Sequence, residues 1–205
     1  MLALSNGMRT AVLVALGCLA GAAHAASPSF DCSKAQSEAE TFVCQDDELA
    51  ALDNRLRERF AAALKVTQSL DAGAREATDE LRAYQRGWIG GRDECWKEED
   101  VRGCVQQAYL RREGELVAYY QLETPFDTVA YTCEGNPANE VTISYYDTGL
   151  PSARIEYGDT ATTASLAPSG SGSRYEGTFG TSLWLKGDNL MFGWRGADPV
   201  DCVAG

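Results

Sequence analysis

The sequence has very little histidine, since His24 is the only one among its 205 residues. His24 lies in a leader that we expect to be removed, which leaves the mature chain with none. Such a chain cannot run a Ser-His or Cys-His nucleophile and cannot offer an imidazole to zinc. The missing histidine does not exclude a two-carboxylate glycosidase, but no matching acidic motif stands out. We expect no enzyme and no bound metal or cofactor.

The sequence also lacks a hydrophobic run of membrane-spanning length. Residues 11–23 are apolar or small, and this run is shorter than the roughly 20 residues that a spanning helix needs. Arg9 precedes the run and the A-x-A motif Ala23-His24-Ala25 follows it, as is typical of a cleaved signal peptide. We expect residues 1–25 to be that signal, with Met8 as an alternative start.

Cleavage after Ala25 predicts a periplasmic or secreted protein. A lipid anchor on Cys18 is the less favoured alternative, because residues 14–17 form a poor lipobox. An unprocessed membrane anchor is a further alternative. A membrane is thus expected as a partner only if Cys18 carries a lipid.

The cysteine pattern lacks any C-x-x-C spacing, which argues against zinc ribbons and thioredoxin-like sites. Without Cys18 an even number remains, and an even number in an exported chain indicates three disulfides. Fully oxidised, these cysteines leave no thiolate for catalysis. The six are Cys32, Cys44, Cys95, Cys104, Cys133 and Cys202.

Basic residues are few. The full sequence has 18 Lys and Arg against 30 Asp and Glu, a formal charge of −12, and loss of Arg9 with the leader makes it −13. This acidity argues against nucleic acid or an anionic membrane as the partner. It favours a basic partner, although solubility alone is an alternative reason for it.

The pattern changes from helical to β near residue 123. Before it, apolar residues recur at helical spacing over 46–64, from about Thr78, and over 101–120. Asp46 is the predicted N-cap of the first helix, and Gly90-Gly91 is expected to end or loosen the second.

After residue 123, short segments rich in β-formers alternate with turn residues, which indicates a small antiparallel barrel or sandwich. We therefore predict an α+β protein with two domains. The predicted parts are a helical domain over 27–122, a linker over 123–127 and a β domain over 128–205, each folding independently.

One acidic cluster, Glu98-Glu99-Asp100, precedes the third helix. Paired carboxylates can perform acid–base work on glycosides. Adjacent acidic residues before a helix are more often a solvated first turn, and we interpret them in that way.

The helical part resembles a known family. Residues 30–35, 40–44 and 47–53, then 85–89 and 92–95, are similar to the motifs of the LprI-like family of exported helical domains, as are Cys104, Tyr109 and Arg112. One member of that family is a lysozyme inhibitor. The resemblance implies the fold of this part and carries no individual site residue.

The run Ser169-Gly170-Ser171-Gly172-Ser173 is the only low-complexity segment. Such runs are usually flexible hairpin loops, but glycine also serves where a backbone must pass close to a partner. Lys186, before Gly187-Asp188, is expected at a turn, so that its ammonium projects from a strand end.

This second part resembles the C-type lysozyme inhibitor (MliC/PliC-like) family, whose members carry a small eight-stranded β-barrel. Residues 171–175 are similar to its Ser-Gly-x-Arg/Lys-Tyr loop. Residues 183–187 are similar to its aromatic pair before x-Lys-Gly, with leucine at one aromatic position. The resemblance implies that a C-type lysozyme is the partner and that the serine and the lysine enter its cleft to meet the two catalytic carboxylates. The implied binding residues are Ser171, Gly172, Arg174, Tyr175 and Lys186.

Cys133 and Cys202 are similar to the cysteine pair that ties the first strand of that family to the chain end. With this pair assigned and each remaining pair kept within the helical domain, we predict the bridges Cys32–Cys44, Cys95–Cys104 and Cys133–Cys202. The alternative functions are a cell-envelope binding or structural module without an enzyme target and, less favoured, a wall-active hydrolase.

Overall fold

The computed structural model describes residues 27–205, so the predicted leader, with its cleavage site, Cys18 and His24, lies outside the described residues. A helical part is followed by a β-barrel, which confirms the α+β prediction. The helices are α1 (Glu38–Gln45), α2 (Asp47–Gln68), α3 (Ala74–Asp93) and α4 (Val101–Tyr120). The strands are β1 (Asp127–Cys133), β2 (Glu140–Tyr146), β3 (Ser152–Tyr157), β4 (Thr160–Ala167), β5 (Ser173–Gly177), β6 (Ser182–Lys186), β7 (Asn189–Gly193) and β8 (Val200–Ala204).

The helix α4 has the predicted bounds, whereas α1 and the course of α3 differ from the prediction. The eight-residue helix α1 is too short to show a clear period. The helix α3 starts at Ala74, before Thr78, and runs through Gly90-Gly91 to Asp93. Of the two expected alternatives, the one in which these glycines end the helix is wrong, and the one in which they loosen it stays a prediction. A helical glycine costs about 1 kcal/mol, which packing of α3 against α2 and α4 offsets.

Side-chain caps fix where three helices begin. Asp46 accepts hydrogen bonds from the backbone N–H groups of Glu48 and Leu49, at 2.9 and 3.1 Å, and so starts α2 as predicted. Ser37 and Glu40 form a reciprocal capping box at α1. Asp100 accepts from Gly103 N at 2.8 Å and is the N-cap of α4, while Glu98 and Glu99 precede the helix.

The helical part has its own apolar core. Its most completely buried large side chains come from α2, α3 and α4 and include Leu49, Leu81, Val105, Tyr109 and Leu116. The disulfides Cys32–Cys44 and Cys95–Cys104 tie the ends of this bundle, as predicted. In the described part of the chain no helix has both the length and the apolar character of a membrane span.

The β part is a closed eight-stranded antiparallel barrel, which decides between the barrel and the sandwich. Each strand pairs with the next, and β1 pairs with β8, where Cys133 lies opposite Cys202 and is bonded to it. That disulfide closes a separation of 69 residues, for which chain entropy predicts about 4 kcal/mol of stabilisation. The barrel core consists of inward side chains such as Val141, Ile143, Tyr145, Ile155, Leu183 and Phe192.

The two parts share a packed interface, in which α4 lies against β2, β3 and β4. Val117, Ala118 and Tyr146 form a buried apolar cluster there. A guanidinium nitrogen of Arg154 donates to the carbonyl of Tyr119 at 2.6 Å. The helix α4 ends at Tyr120 and β1 begins at Asp127, so residues 121–126 connect the two parts. Independent folding of the two parts stays a prediction.

Candidate functional site

Two turns at one end of the barrel bring together the residues that the sequence singled out. In an up-and-down antiparallel barrel, the connections that follow β4 and β6 lie at the same end. The β4–β5 loop spans 168–172 and the β6–β7 turn spans 187–188. The register Ser173↔Leu185 between β5 and β6 places them side by side.

Gly172 makes this approach possible. Its φ is +68°, and a Cβ placed on it would lie 2.1 Å from the carbonyl oxygen of Leu185. Its backbone thus packs directly on β6, at a distance that no side chain permits. The close neighbour of this glycine is β6 of the same chain, and a close approach to a partner stays a prediction.

The backbone of Ser171 is held in place while its hydroxyl stays free. Its carbonyl accepts hydrogen bonds from Trp184 Nε1 at 2.9 Å and from Ser169 Oγ at 2.8 Å. Ser171 is exposed, and its hydroxyl makes no hydrogen bond within residues 27–205. The loop thus presents one unused hydroxyl from a fixed backbone.

Lys186 is the last residue of β6 and is exposed, as predicted. Its Nζ lies 4.0 Å from the centre of the Trp184 ring, a cation–π contact. Gly187, with φ +60°, begins the tight turn that follows, and positive φ at this position is typical of two-residue hairpins. Lys186 makes no ion pair with any residue that the structure describes. Its charge is therefore available to a partner.

Trp184 is a site residue that sequence reasoning missed. It lies two residues before Lys186 on the same outward face of β6, and its N–H holds the Ser171 loop while its ring holds the ammonium. The available signal was the period of two along a strand, which places residues 184 and 186 on one face. One indole therefore links both turns.

Arg174 and Tyr175 differ from the other three predicted site residues. Arg174 forms an ion pair with Glu176 at 2.7 Å, so its charge already has an internal partner. Tyr175 is 7% exposed, and its ring lies 5.7 Å from that of Tyr145 inside the barrel. Burial raises the pKa of the Tyr175 phenol, which stays neutral. Tyr175 supports the loop from within the core.

The leucine that departs from the inhibitor motif, Leu183, is fully buried in the barrel. Its side chain contributes to the core, so the departure leaves the outer surface of the site unchanged. Elsewhere, Glu98, Glu99 and Asp100 are exposed. Among residues 27–205, no three His, Cys, Asp or Glu side chains are grouped as a metal site would require.

The arrangement suits the recognition of carboxylates. It offers one ammonium and one hydroxyl, both free to donate, on the rigid end of a disulfide-closed barrel. Among the four barrel cations, Arg154 and Arg174 are paired with carboxylates. Arg195 lies at the other end of the barrel, where it stacks on Trp194. Lys186 is thus the unpaired cation at the site end.

Comparison with known families matches both parts of the chain. Residues 32–101 match the family described as lysozyme inhibitor LprI. Residues 131–201 match the family described as membrane-bound lysozyme-inhibitor of c-type lysozyme. The proteins named lipoprotein LprI from Mycobacterium tuberculosis and Mycobacterium bovis are 30% identical over 201 residues, which cover 95% of this chain and 96% of theirs.

The chain belongs to the LprI family. An uncharacterized protein of Rhizobium meliloti is 35% identical over 118 residues, covering 48% of this chain and 85% of that protein. Both resemblances inferred from the sequence are thereby confirmed. The matched families consist of inhibitors and not of enzymes, so the prediction of a non-enzyme is confirmed as well.

The names of the relatives bear on where an LprI-family chain resides. The mycobacterial relatives are called lipoproteins, and one matched family is described as membrane-bound. These names support the cell envelope as the location. They do not support our preference for an unanchored protein over one with a lipid on Cys18, and that ranking is withdrawn.

Proposed function

We propose that this chain inhibits a C-type lysozyme by inserting Ser171 and Lys186 into the active-site cleft. The observation that carries the proposal is the juxtaposition of a free hydroxyl and an unpaired ammonium on two turns that Trp184 links. The match of this part to an inhibitor family of c-type lysozyme supports the same partner.

The chemistry of the target fits these two donors. A lysozyme keeps one catalytic carboxyl protonated as the acid and the other ionised. An ammonium has three donors for an ionised carboxylate, and a hydroxyl can serve either form. Each charge-assisted hydrogen bond contributes about 1.5–3 kcal/mol, and a filled cleft excludes the glycan.

The acidity of the rest of the chain supports the encounter. The formal charge of −12 attracts a cationic enzyme. Such steering raises the association rate, and salt weakens it by screening charges that are farther apart than the Debye length, about 8 Å at physiological ionic strength. Lys186 is a positive charge in a protein of net negative charge, and in this proposal it sets the position of the inhibitor relative to the catalytic carboxylates.

The test is a titration of C-type lysozyme activity with the wild type, Lys186→Met and Ser171→Ala. Lys186→Met keeps the length and apolar stem and removes the charge, so we expect at least about 30-fold weaker inhibition, equivalent to about 2–5 kcal/mol. Ser171→Ala should cost less, because it removes a neutral donor.

The matched control is Arg195→Met, which removes the same charge from another tryptophan-stacked cation at the far end of the barrel. It should inhibit like the wild type. If Lys186→Met also inhibits like the wild type, cleft insertion is wrong, even where the protein still binds lysozyme.

The cell envelope is the proposed location, because the inhibitor must meet an enzyme that attacks the wall. This follows from the names of the relatives and from the signal-like leader. Cell fractionation with detection of the native chain tests it, and a purely cytosolic chain would contradict it.

A further inference from the structure

The helical part extends beyond the end of the barrel that carries Ser171 and Lys186. Three contacts set the direction of α4 along the barrel wall. The carbonyl of Tyr119 meets Arg154 in β3, and Gly114 lies against Ser152 at the start of β3. Leu110 then touches Gly149 in the β2–β3 loop.

The order of these contacts shows that α4 leaves the barrel at its site end. The chain from Arg154 to Ser152 to Gly149 approaches that end, where the β2–β3 loop lies beside the β4–β5 loop. Nine more residues of α4 precede Leu110, down to Val101. At 1.5 Å per residue they make about 13 Å of helix beyond the residue that touches the loop tip.

The helix α2 runs parallel to α4 over this projection. Asp53 bonds to Tyr109 near the loop tip, and Arg102 pairs with both Asp46 and Glu48 further out. The two helices therefore form a continuous wall beside the barrel mouth.

The residues that face the mouth follow from helical periodicity. Arg55 and Leu110 lie at Gly149, the tip of the β2–β3 loop. A guanidinium nitrogen of Arg55 is 3.5 Å from the position that a Cβ on Gly149 would take. One turn beyond them, on the same faces, lie Ala51 and Gln106. Two turns beyond Arg55 lies Glu48, whose side chain is 60% exposed and bonds to Gln106 at 2.8 Å.

We infer that the surface of Glu48, Ala51 and Gln106, here called the overhang, contacts the same lysozyme molecule that the barrel loops hold. The inference rests on the proposed function, because the enzyme is placed by Ser171 and Lys186. A globular enzyme seated on two loops of a narrow barrel is wider than the barrel end. It therefore meets the helices that continue past the loop tip.

Charge favours this occupant. The exposed cations of the wall already have carboxylate partners, since Arg102 pairs with Asp46 and Glu48 and Arg55 pairs with Glu113. Two carboxylates against one guanidinium leave the outer part of the wall with an excess of negative charge. Such a surface accepts the basic, hydrogen-bonding face of a cationic enzyme. The helical part thus gains a role in affinity beyond carrying the barrel.

Site-specific photocrosslinking on the full chain tests the overhang. Ala51→p-benzoylphenylalanine places the probe on the exposed face of α2, and Ala83→p-benzoylphenylalanine is the control on the exposed face of α3, whose main contacts are with other helices. We expect a covalent inhibitor–lysozyme product from position 51 and none from position 83. An oligomer of N-acetylglucosamine that fills the cleft should suppress the product.

A second readout is the inhibition constant. Ala51→Arg sets a bulky positive charge against a basic enzyme and should weaken inhibition about 10-fold or more, whereas Ala83→Arg should leave it unchanged. If Ala51 variants neither crosslink nor lose inhibition while the wild type inhibits fully, the overhang is wrong and cleft insertion stands. If the wild type does not inhibit at all, the proposed function fails and the overhang with it.

Discussion

At the scale of single residues, Gly172 decides whether the two turns of the site can meet. The neighbouring Gly170 has no positive φ, and a Cβ placed on it meets nothing within 4 Å. The two glycines occur in one loop and look alike in sequence. Only Gly172 combines a left-handed backbone with direct backbone contact to Leu185.

We predict that Gly172→Ala weakens lysozyme inhibition about 10-fold or more, because a displacement of about 1 Å between positioned groups can cost 10²-fold. Gly170→Ala should inhibit like the wild type. Both variants are to be compared by enzyme titration, with β-type circular dichroism as the check on folding. Equal inhibition by the two variants would show that the geometry of Gly172 is irrelevant to the site.

At the scale of elements, the start of α2 is held by one carboxylate with two functions. Asp46 caps the helix through its Oδ1 and pairs with Arg102 of α4 through its Oδ2, at 2.7 Å. The hydrogen bond from Arg102, aided by the backbone N–H of Leu49, holds the pKa of Asp46 below its ordinary value near 3.8. The Asp46 carboxylate therefore connects the N-terminal ends of α2 and α4, the two helices that carry the overhang.

We predict that Asp46→Ala lowers the free energy of unfolding by about 1 kcal/mol or more through loss of the cap. Asp46→Asn keeps an oxygen for the cap and loses the charge, so it should cost less. Because the folded-state pKa is lowered, the stability due to the ionised group is present above about pH 4. It is lost as the pH falls through the folded-state value.

Urea unfolding of both variants and of the wild type, repeated from neutral pH downwards, measures this. The difference between the wild type and Asp46→Asn should shrink toward zero in acid. If the difference in free energy of unfolding between the wild type and Asp46→Asn stays constant with pH, the charge of Asp46 does not stabilise the fold and only its cap does.

At the scale of the whole molecule, the helix–barrel interface depends on the small residue Gly114. A Cβ there would lie 3.0 Å from the Cβ of Ser152 and 3.3 Å from Thr148 Oγ1. In α3, Gly87 is exposed, and a Cβ there meets nothing within 4 Å. The same substitution at these two positions therefore separates the interface from helix propensity.

We predict that Gly114→Leu lowers stability by about 1–3 kcal/mol through overpacking of the interface. Gly87→Leu should leave it unchanged or raise it by up to about 1 kcal/mol, because leucine is a better helix former than glycine. Thermal unfolding by circular dichroism measures both, and small-angle scattering should show an expanded chain only for Gly114→Leu. If Gly114→Leu has the thermal stability and the dimensions of the wild type, the two parts are not held together by this contact.

The sequence by itself determined the features that depend on local pattern. The helical spacing fixed α4 to its observed bounds, and Asp46 marked the start of α2. The close turns and β-formers indicated an antiparallel β part, and the family motifs pointed to Ser171, Gly172 and Lys186. The even set of six cysteines predicted three bridges, and the family resemblance with the domain division assigned their pairing. Each of these features is set within one element or within one motif.

Only the tertiary structure decided what depends on contacts between distant residues. The closure of β1 on β8 chose the barrel over the sandwich, and packing against α2 and α4 carried α3 through Gly90-Gly91. The tertiary structure also revealed that Trp184 links two turns and that α4 continues past the β2–β3 loop. The physical reason is that periodicity records which face of an element is apolar. It does not record which partner covers that face or at what height along the element the contact falls.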